Sequence, residues 1–93
     1  MLKNNEYFDG KVKSIGFENA EGVATVGVME AGEYEFGTST DEYMTVISGS
    51  MDVLLPDAKD WRTFTYGKEF FVGKDKSFKV KSEAPAAYIC VYK

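Results

Sequence analysis

Three oxygen-bearing side chains stand at alternate positions between two apolar segments of the chain: Thr38, Thr40 and Glu42. Side chains on an extended backbone alternate between two faces, so a regular strand would place all three on one face, together with Tyr34 and Phe36. A carboxylate beside two hydroxyl groups is the best candidate for a site in this sequence. The alternative is that Glu42 only completes a buried polar network.

The sequence contains no histidine. This excludes a Ser-His-Asp triad, a Cys-His pair and an imidazole metal ligand. Acid–base chemistry would therefore depend on Glu, Asp, Lys or Tyr, and a metal ion would need oxygen ligands. The single cysteine, Cys90, cannot form an internal disulfide. It alternates with Tyr88 and Tyr92, so we predict a buried and unreactive thiol.

Aromatic residues and one arginine complete the set of candidates. The aromatic candidates for the wall of a site are Tyr34, Phe36, Phe78 and Tyr88. A single aromatic residue in a chain of this size more often belongs to the hydrophobic core, so both interpretations stay open. Arg62, the only arginine, could bind an anion through two hydrogen bonds. A position on the solvated rim is the alternative for Arg62.

Length and charge limit the classes of protein that the chain could form. Its 93 residues are enough for one domain, which we place at residues 1–93. The net charge of -4 argues against a nucleic-acid binder, which needs a basic face. No apolar segment approaches the roughly 18 residues that span a bilayer, and the first ten residues lack the apolar centre of a signal peptide. We therefore expect a cytoplasmic protein without a membrane partner.

Short segments rich in Val, Ile, Phe, Tyr and Thr recur between glycines, which predicts many short strands and no substantial helix. The predicted strands are residues 12–17, 23–29, 33–36, 42–47, 51–55, 61–66, 69–72, 77–81 and 87–92. A tight turn is predicted at Gly49, and a hairpin at Asp9-Gly10. So many strands in one domain indicate an all-β fold, either a double-sheet jelly roll or a closed barrel.

The spacing of Glu42 and Gly49 resembles the first motif of the cupin barrels. In typical cupins two histidines precede that glutamate and bind a metal with it, and here Thr38 and Thr40 stand at or near their places. Phe78 stands where the second motif has its histidine. The resemblance therefore implies a single-domain cupin, a double-stranded β-helix or jelly-roll barrel, that binds no metal.

Several segments resemble one small family more closely. They are NEYFDGKVKSIGF, GEYEF, MTVISG, LLP followed by DW, and AYICVY. They are similar to the single-domain cupin family of broad-specificity pyrimidine/purine nucleoside phosphorylases, over nearly the whole chain. The resemblance implies phosphorolysis of purine and pyrimidine nucleosides to a free base and ribose 1-phosphate. Inorganic phosphate would be the co-substrate, and no organic cofactor is expected.

The same resemblance suggests roles for the candidate residues. Glu42 would bind ribose hydroxyls or stabilise the cationic sugar, and Thr38 and Thr40 would donate hydrogen bonds to phosphate or sugar oxygens. The aromatic residues would stack on the base, which suits a broad substrate range because every base has a π face. Arg62 is a candidate for binding phosphate.

Two other functions remain open from the sequence. The first is a non-catalytic cupin that binds a nucleoside or a sugar, and the second is a structural or regulatory β-domain that acts through an exposed strand edge. In each case we expect a homodimer, because a barrel of this size leaves apolar strand faces uncovered.

Overall fold

Alternating apolar and polar residues form ten strands, and the computed structural model describes residues 2–93. The strands are β1 (Lys3–Tyr7), β2 (Val12–Asn19), β3 (Gly22–Met29), β4 (Gly32–Gly37), β5 (Glu42–Ser48), β6 (Ser50–Leu54), β7 (Arg62–Thr65), β8 (Glu69–Val72), β9 (Ser77–Ser82) and β10 (Ala86–Tyr92). Nine of them were predicted, with ends within about two residues. Only β1 was missed, because its sequence KNNEY is polar and lies largely exposed at a sheet edge.

The strands form two antiparallel sheets. The larger sheet has the order β1-β2-β3-β10-β5-β8, and the smaller has the order β4-β9-β6-β7. Consecutive strands β4 and β5 lie in opposite sheets, as do β5 and β6, so the chain crosses repeatedly between them. This is the two-sheet jelly-roll arrangement that the sequence predicted.

The core lies between the inner faces of the two sheets. Its most completely buried side chains include Met29 on β3, Met51 and Val53 on β6, and Val80 on β9, each 0 % exposed. Strand β6 shows why these residues turn inward: its buried and partly exposed residues alternate, as expected of a strand with one face on a core. Burial of apolar surface is the main term that holds the two sheets together.

Two turns position the strand ends that matter for the site. Gly49 has φ of 79° and connects β5 to β6, as predicted, in a conformation that glycine adopts without strain. The β1–β2 turn lies one residue earlier than the predicted Asp9-Gly10 hairpin. The amide of Gly10 donates to the carbonyl of Tyr7 at 3.1 Å, so Phe8 and Asp9 occupy the centre of the turn. Both have positive φ, at 54° and 57°.

The outer face of the six-stranded sheet is apolar over several neighbouring strands. Ile15, Val26 and Ile89 are direct partners across β2, β3 and β10. Val28, next to this row, is 51 % exposed, and Ile15 is 45 % exposed. Within residues 2–93 there is no helix with the length and apolarity needed to cross a membrane.

We propose that a second copy of the chain covers the apolar outer face of the six-stranded sheet, because contiguous apolar surface of this kind marks interaction sites.

If a second copy covers the outer face, a charge in its middle will separate the copies. Wild-type protein is expected to sediment at twice the 10.4 kDa chain mass, and Val26→Lys at the mass of one chain. Val23→Lys is the control, because Val23 is exposed on the same strand but faces the other side of the sheet. Sedimentation velocity measures both variants, and a wild-type protein that stays monomeric at micromolar concentration contradicts the proposal.

Candidate functional site

A cavity of about 540 Å³ opens at one end of the sandwich, where four strand ends meet. Tyr7 ends β1, Gly37 ends β4, Glu42 begins β5 and Tyr92 ends β10. All four line the cavity, and residues further along the same strands form its floor. The polar side chains of its wall are Tyr7, Ser14, Glu35, Ser39, Glu42, Tyr88 and Tyr92.

Glu42 is the half-buried acidic group of this cavity. As the first residue of β5 it pairs with Tyr92 of β10 on one side and with Val72 of β8 on the other. Its Oε1 accepts a hydrogen bond from the Cys90 thiol at 3.5 Å. Burial raises the pKa of the Glu42 carboxyl above its usual value, and the bond from Cys90 opposes that shift only in part. The ionised carboxylate is therefore less stable here than in water.

The groups around Glu42 stay neutral. Burial, together with the nearby Cys90, Tyr7 and Glu42, raises the pKa of Tyr88 to about 12. Burial and then the charge of Glu42 raise the pKa of the Cys90 thiol, so the buried thiol that the sequence predicted does not ionise at neutral pH. Burial also raises the pKa of Tyr92, whose hydroxyl lies 3.0 Å from the Thr25 hydroxyl. Glu42 is thus a half-buried carboxyl among neutral phenols and a thiol, whereas Glu35, the other carboxyl of the cavity, is exposed.

A glycine on the neighbouring strand makes room for Tyr88. A methyl group at Gly27 of β3 would overlap the ring of Tyr88, which lies directly across from it on β10. Any larger residue at this position would force the Tyr88 ring to move. No sequence pattern separates Gly27 from the other glycines of the chain, because its role depends on a partner 61 positions away.

Aromatic side chains form the apolar wall. Phe36 of β4 and Phe78 of β9 are paired partners whose ring centroids lie 5.7 Å apart at 30°, in a stacked arrangement. Phe8 meets the ring of Phe36 edge-on, with centroids 5.6 Å apart. Phe36, Phe78 and Tyr88 line the cavity, although Phe78 and Tyr88 are also buried members of the core. Tyr34 is core as well but does not line the cavity, and it directs its hydroxyl to the carbonyl of Glu30 at 2.8 Å.

The two threonines do not line the cavity. Strand β4 ends at Gly37, so the regular alternation expected up to Glu42 breaks in the loop 38–41. The hydroxyl of Thr38 is buried and donates to the carbonyl of Gly73 at 2.7 Å, while it accepts from the amide of Lys76 at 2.9 Å. Thr40 is exposed, and it is Ser39 that reaches the cavity wall. Thr38 thus ties two loops together instead of facing a ligand.

Arg62 also lies elsewhere. It is exposed on β7, where its guanidinium carbon sits 5.2 Å from the ring centroid of Phe64. The solvated position that the sequence left open is therefore the observed one. No lysine or arginine is among the side chains that line the cavity within residues 2–93. The same range contains no group of three or more Cys, Asp or Glu side chains placed to hold a metal ion, and the expectation of a metal-free, cofactor-free site stays a prediction.

Several residues of the cavity could not be identified from sequence patterns. Tyr7 ends the missed strand β1 and Phe8 follows it, and Ser14 and Ser39 resemble many other small polar residues of the chain. Only proximity in the folded protein identifies them.

Comparison with known proteins assigns the chain to a family. The family model described as pyrimidine/purine nucleoside phosphorylase matches residues 2–92. The chain belongs to this family. A relative of that name from Pseudomonas syringae pv. tomato is 56% identical over 93 residues, which is 100% of both chains. One from Marinobacter nauticus is 56% identical over 92 residues, 99% of each chain.

Solved structures give the fold. A protein of unknown function from Vibrio parahaemolyticus has a TM-score of 0.96 at 41% identity and covers 100% of this chain and 99% of its own. An RmlC-like cupin from Shewanella frigidimarina has a TM-score of 0.73 at 17% identity, over 98% of this chain and 82% of its own. The fold is therefore a cupin barrel, as the sequence motif predicted.

The hydrogen bonds of Thr38 predict a structural role for that residue. Thr38→Val keeps the shape but leaves the carbonyl of Gly73 and the amide of Lys76 without their partner, which should lower the free energy of unfolding by about 1–3 kcal/mol. Thr40→Val is the control, since Thr40 is exposed, and should change stability by less than about 0.5 kcal/mol. Urea unfolding of the two variants measures the difference, and equal stabilities would contradict the role.

The raised pKa of Glu42 predicts a pH-dependent stability. The folded state favours the protonated carboxyl. The contribution of this group to the free energy of unfolding is therefore complete below its ordinary pKa of 4.5, and it is lost as the pH rises through the higher pKa of the folded state. Glu42→Gln removes this loss. The variant should therefore gain thermal stability relative to wild type as the pH increases from 4 to 8, in melting curves followed by circular dichroism. A constant difference across that range would contradict the raised pKa.

Proposed function

We propose that the protein is a nucleoside phosphorylase of broad base specificity. It would convert a purine or pyrimidine nucleoside and inorganic phosphate to the free base and ribose 1-phosphate, or the deoxyribose equivalent. The single observation that carries the proposal is the match of residues 2–92 to the phosphorylase family. The open cavity with one half-buried carboxyl and an aromatic wall supports it.

In this reaction a phosphate oxygen forms a bond to C1′ of the sugar while the bond from C1′ to the base nitrogen breaks. The electron pair leaves with the base, which takes up a proton, and positive charge develops on the sugar ring. An ionised Glu42 would stabilise that charge. Because burial makes the carboxylate unstable in the empty site, its attraction to a developing cation is stronger in the transition state than in the resting protein.

The aromatic wall accounts for a broad range of bases. Phe36, which is partly exposed and stacks on the buried Phe78, offers a π face without directional hydrogen bonds, and stacking of this kind tolerates any base. A pocket that does not read the edge of the base would accept both purines and pyrimidines.

Phosphate would be held mainly by neutral donors. The charged side chains along the cavity are Glu35 and Glu42, both acidic, so hydroxyl groups would have to donate the hydrogen bonds to a phosphate. The hydroxyl of Ser14 accepts a hydrogen bond from the side-chain amide of Asn5 at 3.3 Å, which leaves the hydroxyl proton of Ser14 free to be donated. Ser39 lies at the rim and is the second such donor.

The lack of a cationic side chain along the cavity within residues 2–93 favours one alternative. A protein that binds a nucleoside or a sugar without cleaving it needs no phosphate site, and the same carboxyl and aromatic wall would serve it. Release of the free base from a nucleoside distinguishes the two functions.

The decisive experiment is incubation of the protein with uridine or inosine, with and without phosphate, followed by chromatography of the free base. Phosphate-dependent release is the expected result. Binding without release favours the non-catalytic alternative, and release that does not depend on phosphate would make the protein a nucleosidase.

Glu42→Gln tests the role of the carboxyl in catalysis. Loss of its charge should lower kcat/KM by roughly 100-fold or more, as for other groups that stabilise transition-state charge. Glu33→Gln is the matched control, because Glu33 is exposed on β4 and does not line the cavity. Melting curves exclude unfolding as the cause. Near-full activity of Glu42→Gln would remove this residue from the mechanism.

A further inference from the structure

The turn between β1 and β2 holds an aromatic residue in a conformation that aromatic residues rarely adopt. Phe8 has φ of 54°, followed by Asp9 at 57° and Gly10 at 83°. In this left-handed region the Cβ atom approaches the following carbonyl oxygen, and glycine, asparagine and aspartate are the usual occupants. Asp9 and Gly10 fit that rule, whereas Phe8 does not.

Phe8 is only partly buried. Its side chain remains 42 % exposed and is not part of the core cluster. The turn itself needs no aromatic residue, because its hydrogen bonds run between main-chain groups: Gly10 to Tyr7 at 3.1 Å and Lys11 to Phe8 at 3.2 Å. An asparagine or a glycine would form the same turn with less strain. Strained residues that the fold does not require are concentrated at functional sites.

The ring of Phe8 is nevertheless held in a defined place. Its centroid lies 5.0 Å from that of Tyr34 and 5.6 Å from that of Phe36. The planes of Phe8 and Phe36 are nearly perpendicular, at 86°. Phe36 in turn stacks on Phe78. Two perpendicular rings at the mouth of a cavity form a corner in which a flat ring can stack on one and meet the other edge-on.

We propose that Phe8 is a base-stacking residue at the cavity mouth and that the strained turn exists to hold its ring there. This inference deepens the function proposed above, since it places the base of the nucleoside beside Phe8 and Phe36 and the sugar toward Glu42. All three residues line the same cavity. A base held by stacking alone is again selected for its π face and not for its hydrogen-bonding edge.

Phe8→Gly tests the inference directly. Glycine adopts the observed φ without strain. The relief of strain should therefore offset part of the stability that is lost with the ring contacts to Tyr34 and Phe36. Binding of inosine and of uridine is measured by isothermal titration calorimetry without phosphate. The dissociation constants should increase roughly 5- to 100-fold, in line with the loss of one base–aromatic stack, and the effect should be at least as large for inosine.

Three further variants separate stacking from turn geometry. Phe8→Asn tolerates the left-handed turn but lacks a ring, so it should lose affinity as Phe8→Gly does, and it replaces that variant if glycine destabilises the hairpin. Phe8→Tyr keeps the ring and should bind as wild type does. Asp57→Gly is the control for relief of strain, because Asp57 has φ of 62° on an exposed loop that does not line the cavity, and its affinity should not change.

The outcomes distinguish this inference from the proposed function. Unchanged affinity in both Phe8→Gly and Phe8→Asn overturns the inference, while phosphate-dependent release of base by wild type would still support the phosphorylase. Affinity that depends on Phe8 in a wild type that releases no base supports the inference and overturns the phosphorylase. The inference is also overturned if the wild-type protein binds neither inosine nor uridine.

Discussion

The constraint on which the site depends is a carboxyl group placed at the open end of a hydrophobic sandwich. Glu42 begins β5 between two strands of the larger sheet and lies among a thiol and phenols that remain neutral. Burial raises the pKa of its carboxyl, so the ionised form destabilises the empty protein. That instability is the source of its proposed use, because a buried carboxylate interacts strongly with any positive charge that develops beside it.

Several local features keep this end of the sandwich open. Gly27 leaves room for the ring of Tyr88 on the floor of the cavity. Thr38 fastens the loop after β4 to the loop that precedes β9, which fixes the rim next to Glu42. Phe8 stands at the mouth in a strained turn. Of these features, Phe8 departs from the residue that local stability alone would select, as is common where a fold supports a function.

The comparison with typical cupins gives these features a context. The resemblance places the ligand histidines of metal-binding cupins at or near Thr38, Thr40 and Phe78. In this protein Thr38 secures a loop, Thr40 is exposed, and Phe78 stacks on Phe36 in the cavity wall. A site built from oxygen atoms and aromatic rings suits a sugar and a base.

Sequence patterns predicted most of the fold because the strands repeat a local rule. Segments rich in Val, Ile, Phe, Tyr and Thr between glycines located nine strands, and the positive φ expected of Gly49 located the turn between β5 and β6. The exception was β1, whose polar edge sequence carries no apolar face to detect. Alternation failed again in the loop 38–41, where the backbone leaves the strand and Ser39 replaces the threonines at the cavity wall.

By itself, then, the sequence determined the all-β cupin fold, the family, a chemistry without histidine, and Glu42 as the leading carboxyl. Only the tertiary structure decided which side chains share the cavity with it. Residues 7 and 8 line the same cavity as residues 36, 42 and 88, because the edge strand β1 and the turn after it lie at the end of the sandwich where β4, β5 and β10 also contribute side chains. Such contacts join positions far apart in the chain, and local periodicity contains no information about which distant strand ends will meet.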